Sequence, residues 1–116
     1  MLVAGLAMSP MAVQLLDEDD RSVLRVQGVL TAPAAAGLGS VVRDLVRTRL
    51  VMDGPVVLDL VGVEHVHREG LEELVDASTV VRRTGGRLVL RNLRQQPRHM
   101  RHMMKLEHEL PLEETA

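Results

Sequence analysis

The sequence predicts one α/β domain in which helices pack on a single-layer mixed β-sheet, in the order β-β-α-β-α-β-α. Strand-like and helix-like segments alternate along the chain. The apolar run Val56–Leu60 suits a central strand that is covered on both faces. Leu71, Leu74 and Val81 recur at helical spacing. The 116 residues suffice for one domain with a modest core.

The first half of the chain predicts a hairpin followed by a helix. Residues 11–16 and 22–26 are the two strands, the charged run Asp17–Asp20 is their turn, and Gly28 ends the second strand. Thr31 is the expected helix cap, since threonine accepts a backbone hydrogen bond and proline is tolerated in the first turn. The apolar face of this first helix consists of Leu38, Val41, Val42, Leu45 and Val46.

The second half of the chain predicts two more helices around a further strand. The second helix spans about Arg68 to Arg83, is acidic in its first turns and basic in its last turn, and stops at Gly85-Gly86. A strand at 87–91 follows, and Pro97 opens the last helix. Three methionines are expected to face inward from that helix: Met100, Met103 and Met104.

Composition narrows the function classes. The chain has no Phe, Trp or Tyr and therefore no aromatic platform for nucleic-acid bases. It has no cysteine, and its formal charge of −2 argues against general polyanion binding. No apolar run approaches the ~20 residues of a membrane span, so the expected location is the cytoplasm. Residues 1–10 are interpreted as a loose leader, 11–110 as the domain and 111–116 as a polar tail.

Several polar residues invite catalytic or metal-binding interpretations. Asp59 ends a buried strand, where a carboxylate that receives hydrogen bonds from the next turn is the favoured interpretation. His65 and His67, or His99 and His102, are spaced to chelate, but a transition-metal site needs three or four ligands. Neither a metal nor a cofactor is predicted, and no acid, base and nucleophile set indicates an enzyme. The residues of a basic helix face are expected to be solvated: Arg98, Arg101, His102 and Lys105.

Four motifs together resemble the STAS domain, a family named for sulphate transporters and anti-sigma factor antagonists. Residues 28–31 resemble the family's Gly-x-Leu-Asp, and 56–60 resemble its Val-Val-Leu-Asp-Leu strand. Gly70-Leu71 resembles the pair that opens its second helix, and residues 85–90 with Asn92 resemble its next strand and turn. The resemblance covers about Met11 to Leu110 and implies the predicted fold.

At the start of the second helix, this sequence differs from the family pattern. Bacterial members of this family carry Asp-Ser-Ser-Gly-Leu at the start of the second helix, and an anti-sigma kinase phosphorylates the hydroxyl. Here His67, Arg68 and Glu69 precede Gly70-Leu71, and Thr31 replaces an aspartate. Arg68, at the phosphosite position, cannot be phosphorylated. Either the domain binds permanently, or the turn serves another partner; phosphoserine mimicry by Glu69 is weaker, because Arg68 cancels its charge.

The resemblance therefore implies a non-enzymatic interaction domain in transcription regulation, similar to an anti-sigma factor antagonist. Its partner would be a serine kinase-type anti-sigma factor, bound without the phosphorylation switch. The alternative is a STAS regulatory subunit of a membrane lipid-transport ATPase. The domain is expected to be a monomer or weak dimer, without nucleic acid or membrane insertion. The expected partner-binding residues are Thr31, His67, Arg68, Glu69, Gly70, Leu71 and Asn92.

Overall fold

The computed structural model, which describes residues 6–8, 11–18, 21–47 and 55–113, confirms the mixed α/β class. The sheet has five strands in the order β1-β2-β3-β4-β5. The pairs β1–β2 and β2–β3 are antiparallel, whereas β3–β4 and β4–β5 are parallel. The strands are β1 (Leu6–Met8), β2 (Met11–Glu18), β3 (Arg21–Leu30), β4 (Val56–Val66) and β5 (Leu88–Arg91). The helices are α1 (Ala32–Arg47), α2 (Arg68–Arg83) and α3 (Gln95–Met103).

The main core lies between the sheet and the helices. Because strand side chains alternate between faces, Val56, Leu58 and Leu60 share a large cluster with the inner faces of α1 and α2. Val57 points to the opposite face and forms a small second cluster with Val23 and Val89. The central strand is thus covered on both faces, as its continuous apolar run predicts.

The best-defined sequence signals are confirmed. Helix α2 spans the expected residues, and its stop uses Gly85 at φ +86°, with the Gly86 N–H donating to the carbonyl of Val81. The Thr31 hydroxyl accepts from the Ala34 N–H at 3.2 Å and so caps α1.

Two strands extend beyond their predicted limits. β3 does not end at Gly28; it continues to Leu30, because Gly28 adopts φ +122° at an irregularity in the pairing with β4. β4 runs to Val66, six residues past Leu60. Residues 6–8, within the expected leader, pair with β2. Part of the expected hairpin turn, residues 19–20, lies outside the described residues.

The chain after α3 folds back to the open edge of β5. The Leu90 N–H donates to the Pro111 carbonyl at 2.8 Å, and the Glu113 N–H donates to the Leu90 carbonyl at 2.7 Å. Glu113 also forms an ion pair with Arg21. The beginning of the expected polar tail therefore covers the β5 edge, which would otherwise present unpaired backbone groups.

Two predictions for α3 are wrong. Arg101, expected on the solvated face, is buried, and its guanidinium donates to the Leu110 carbonyl at 2.7 Å. Met103, expected in the core, is 64% exposed, whereas Met100 and Met104 are partly buried. The guanidinium turns inward because the returning segment supplies carbonyl acceptors there. Burial lowers the pKa of Arg101.

Candidate partner-binding site

Two helices begin at the same edge of the sheet, where β3 and β4 end side by side. Leu30 and Val66 are paired at this edge, and α1 and α2 start within two residues of them. The His67 N–H donates to the Leu30 carbonyl at 2.9 Å. The structure therefore brings Thr31 next to the turn that opens α2, as parallel strands with matching ends require.

Gly70 allows the first turn of α2 to lie against the end of β3. A Cβ atom at this position would lie 2.4 Å from the Leu30 carbonyl oxygen, far inside van der Waals contact. The N–H groups of Gly70 and Leu71 both donate to the His67 carbonyl, at 3.0 and 3.2 Å. Gly70 thus fixes the position of the turn that precedes it.

The expected binding residues divide into exposed and buried groups. His67, Arg68 and Glu69 are exposed, whereas Gly70 is buried and Leu71 is 1% exposed. Leu71 packs in the main core, so it anchors the turn and presents no surface to a partner. Among the described residues, none forms a hydrogen bond or ion pair with the Arg68 side chain.

Asn92 lies away from this turn. Its side-chain amide donates to Asp59 at 3.2 Å, level with the first half of β4. The β3 partners of Asp59 and Val66 are Arg25 and Leu30, which are five residues apart, so at ~3.3 Å per strand residue Asn92 lies roughly 17 Å from the end of β4. Asn92 adopts φ +59°, the left-handed region in which asparagine is tolerated, and this ends β5. Its observed contact is with the Asp59 cluster.

Two residues that sequence reasoning missed hold the end of β4. β5 pairs only with residues 56–59, so the second half of β4 has no strand on that side. Gln96 replaces one: its side chain accepts from the Val66 N–H at 2.8 Å and donates to the Val66 carbonyl at 3.1 Å. Arg94 donates to the Val61 carbonyl at 3.0 Å. No local sequence signal indicates these contacts, since their partners lie about thirty residues earlier in the chain.

Asp59 is enclosed by donors. Its carboxylate accepts from the Val61 N–H at 3.1 Å, from Asn92, and from Arg91 at 3.1 Å, and Arg25 lies 3.7 Å away. Burial raises the pKa of Asp59, but these hydrogen bonds outweigh it and hold the pKa below its usual range. Arg91 also pairs with Glu18 at 2.8 Å, which raises the pKa of Arg91 and lowers that of Glu18. Asp59 therefore has the hydrogen-bond partners that its expected structural role requires.

The four histidines considered as metal ligands are exposed near the end of β4 and on α3: His65, His67, His99 and His102. His65 and His67 have ring centroids 5.5 Å apart in an edge-on arrangement. His99 and His102 do not form a shared site with His65 and His67. His102 instead contacts the carboxylate of Glu107 at 2.8 Å. Within the described ranges, no group of three or more histidine, cysteine or acidic side chains is placed to hold a metal ion.

Comparison with known proteins gives a consistent family and fold. The STAS domain profile matches residues 12–116. An anti-sigma factor antagonist from Mycobacterium paratuberculosis has a TM-score of 0.75 at 23% identity, over 94% of this chain and 90% of that chain. The unphosphorylated anti-sigma factor antagonist SpoIIAA has a TM-score of 0.65 at 14% identity, over 90% of this chain and 89% of that chain.

A transporter shares the same fold over part of its length. The murine anion transporter Slc26a9 has a TM-score of 0.57 at 20% identity, over 77% of this chain and 14% of that chain. At these identities the solved structures show a common fold. No curated protein matches the chain. In the part of the chain that the structure describes, no helix is long and apolar enough to cross a membrane.

Proposed function

This chain belongs to the STAS domain family, and we propose that it is a non-enzymatic regulatory domain that binds a kinase-type anti-sigma factor. The contact surface is the exposed turn of His67, Arg68 and Glu69, with Thr31 beside it. The two antagonist structures, which match nearly the whole chain, support this partner class. The exposed turn, fixed from below by Gly70 and Leu71, is the observation that carries the proposal.

Arg68 removes the phosphorylation switch that the family resemblance implies at this position. A guanidinium has no hydroxyl to accept a phosphoryl group. The neighbouring Glu69 does not mimic phosphoserine, since the pair carries no net charge. Within this proposal the domain is permanently able to bind, because the turn has no phosphate acceptor at position 68.

Electrostatics support a contact role for Arg68. A cation at a helix N-terminus is disfavoured by ~0.3–1 kcal/mol, and no described residue of the chain forms a hydrogen bond or ion pair with the Arg68 side chain. A carboxylate of the partner would offset that cost. Within this proposal, Arg68 binds an acidic group of the anti-sigma factor.

Asp59 does not support a catalytic interpretation. Its oxygens are taken up by Val61, Asn92 and Arg91, and its side chain is 2% exposed. A general acid or base must reach a substrate proton. The carboxylate that the sequence marks as a candidate catalyst instead joins β4 to β5.

Affinity capture from the host lysate tests the proposal, with the tagged wild type compared with Arg68→Glu. An acidic residue suits a helix N-terminus, so the variant is expected to fold and any loss of binding reports the surface. The control is Arg87→Glu, which makes the same charge change at an exposed residue before β5. We expect wild type and control to retain a kinase-type anti-sigma factor and Arg68→Glu to retain roughly ten-fold less.

Two outcomes contradict the proposal. Equal recovery of the anti-sigma factor by Arg68→Glu removes the α2 turn from the interface. Recovery of a lipid-transport ATPase by all three proteins supports instead a regulatory subunit of a membrane transporter.

A further inference from the structure

Helix α3 presents a basic face that the α2 turn does not explain. Arg94, Arg98 and Lys105 are exposed, as are His99 and His102. Residues 92–106 contain no acidic residue, although the whole chain has a formal charge of −2. Positive charge is therefore concentrated on α3 and on the residues that flank it, Arg94 and Lys105.

This basic face is held next to the α2 turn. Gln96, in the first turn of α3, bonds to both backbone polar groups of Val66, the residue immediately before His67. Arg94 bonds to the same strand at Val61. Because these bonds join α3 to the strand that ends in the turn, the start of α3 lies beside that turn.

A groove separates the end of β4 from the start of α3. It has a volume of about 460 Å³. Glu64 lies on the strand side, and Arg94 and His99 lie on the helix side. The groove is also lined by the two glutamine side chains Gln95 and Gln96.

Acidic residues limit the width of this basic face. Glu64 bounds it along the groove, and Glu107 pairs with His102 at its far end. A nucleic acid or a flat anionic membrane would have to pass over these carboxylates. A single peptide segment can follow the face and avoid them. Met103, 64% exposed and one helical turn after His99, adds a flexible apolar contact of the kind found at protein interfaces.

We propose that the basic face of α3 is a docking surface for an acidic segment of the protein that binds the α2 turn. This inference rests on the proposed function, which identifies the partner as a kinase-type anti-sigma factor. It adds that the partner segment on α3 is acidic. The segment carries aspartate or glutamate opposite Arg98 and Lys105, with an apolar side chain against Met103. Complementary charge of this kind governs association rate and partner choice.

Nuclear magnetic resonance titration of the full chain with a poly-glutamate peptide tests the surface independently of any anti-sigma factor. We expect amide shifts confined to α3 and to residues 64–68, and affinity roughly ten-fold lower for Arg98→Glu/Lys105→Glu. The control Arg83→Glu/Arg87→Glu makes the same charge change at exposed residues around the end of α2 and should bind like wild type. Shifts spread over the whole surface, equal losses in both variants, or tighter binding to phosphatidylglycerol vesicles or duplex DNA would overturn the inference.

A second arm separates this inference from the proposed function. With the captured anti-sigma factor, Arg98→Glu/Lys105→Glu is expected to lower affinity roughly ten-fold while Arg83→Glu/Arg87→Glu leaves it unchanged. If Arg68→Glu lowers that affinity and Arg98→Glu/Lys105→Glu does not, the α2 turn stands and the α3 surface is rejected. If no anti-sigma factor binds, the proposed function fails and the peptide titration alone decides the α3 surface.

Discussion

The two halves of β4 differ in how their polar groups are satisfied. Residues 56–59 lie between two strands and end at Asp59, whose carboxylate is bonded from several sides. Residues 60–66 pair with β3 alone, and side chains from Arg94 and Gln96 take the place of β5. The second half then leads to an exposed turn in which Arg68 has no partner in the described chain.

The first half of β4 therefore contributes to stability, and the second half leads to the proposed binding surface. Asp59 is the buried charged residue that is the first candidate for a catalytic role. Its carboxylate already accepts hydrogen bonds from Val61, Arg91 and Asn92, so its effect is on the stability of the fold. The exposed cation Arg68 contributes little to the core, yet no hydrogen bond or ion pair within the described chain holds its guanidinium. The comparison predicts that substitutions at Asp59 act on stability, and substitutions at Arg68 act on binding.

The largest expected effect is that of Asp59→Ala on stability. Removing the carboxylate leaves the amide of Asn92 and the N–H of Val61 without this acceptor, and the guanidinium of Arg91 keeps only Glu18. A hydrogen bond to a charged group contributes about 1.5–3 kcal/mol, so the loss of all these bonds together is expected to cost about 3–5 kcal/mol. Urea unfolding should show a loss of that size.

Asp76→Ala is the matched control, since Asp76 is exposed on α2. Its free energy of unfolding should stay within about 0.5 kcal/mol of wild type. A loss below about 1 kcal/mol for Asp59→Ala would show that the cluster around Asp59 contributes little.

Gly70→Ala is expected to have the next largest effect. The added methyl group would lie 2.4 Å from the Leu30 carbonyl oxygen, so either α2 or the end of β3 must shift. Overpacking of this kind costs about 1–3 kcal/mol, and a backbone neighbour cannot move as a flexible side chain does. Thermal or urea unfolding measures the loss.

Gly39→Ala provides the contrast, because Gly39 is also a buried helical glycine. Its added Cβ would meet Arg43 at 3.4 Å and Ala77 at 3.7 Å, which are ordinary contacts. Alanine also gains ~1 kcal/mol of helix propensity over glycine. This variant should be as stable as wild type or more stable. If both alanine variants behave alike, the close approach at Gly70 does not limit the turn.

A smaller effect is expected from pH. Because the pKa of Asp59 is lower in the folded protein than in the unfolded chain, the ionised carboxylate stabilises the fold above about pH 4. That contribution is lost as the pH falls through the lower folded pKa. Asp59→Asn, which has no charge to lose, should approach wild type in free energy of unfolding as acid is added. A constant difference between the two proteins from neutral pH to pH ~2 would contradict the depressed pKa.

The features that the sequence predicts correctly are those that depend on local residue patterns. α2 has a 3.6-residue apolar period, charges that match its dipole and a Gly-Gly stop, and all three signals agree on its limits. The turn before it follows from those limits, which is why His67, Arg68 and Glu69 could be placed in advance.

The rest depends on long-range contacts. Beyond the predicted end of β4 at Leu60, irregular pairing around Gly62 breaks the period of two, so the further strand residues have no clear signature. A strand ending at Leu60 would have placed Asn92 beside the α2 turn; the longer strand separates them. Arg101 is buried because the returning segment at Leu110 supplies its acceptor, which the helix pattern alone does not reveal.

We propose that the α2 turn binds a kinase-type anti-sigma factor and that phosphorylation does not switch this binding. Wild type and Arg68→Ser, each incubated with the captured anti-sigma factor and ATP, provide the direct test by intact-mass and peptide mass spectrometry. The claim predicts no phosphate on wild type, which stays bound, and phosphate at position 68 of Arg68→Ser, which is released. Phosphate on wild type, at Thr31 or at any other residue, together with its release from the anti-sigma factor, would contradict the claim.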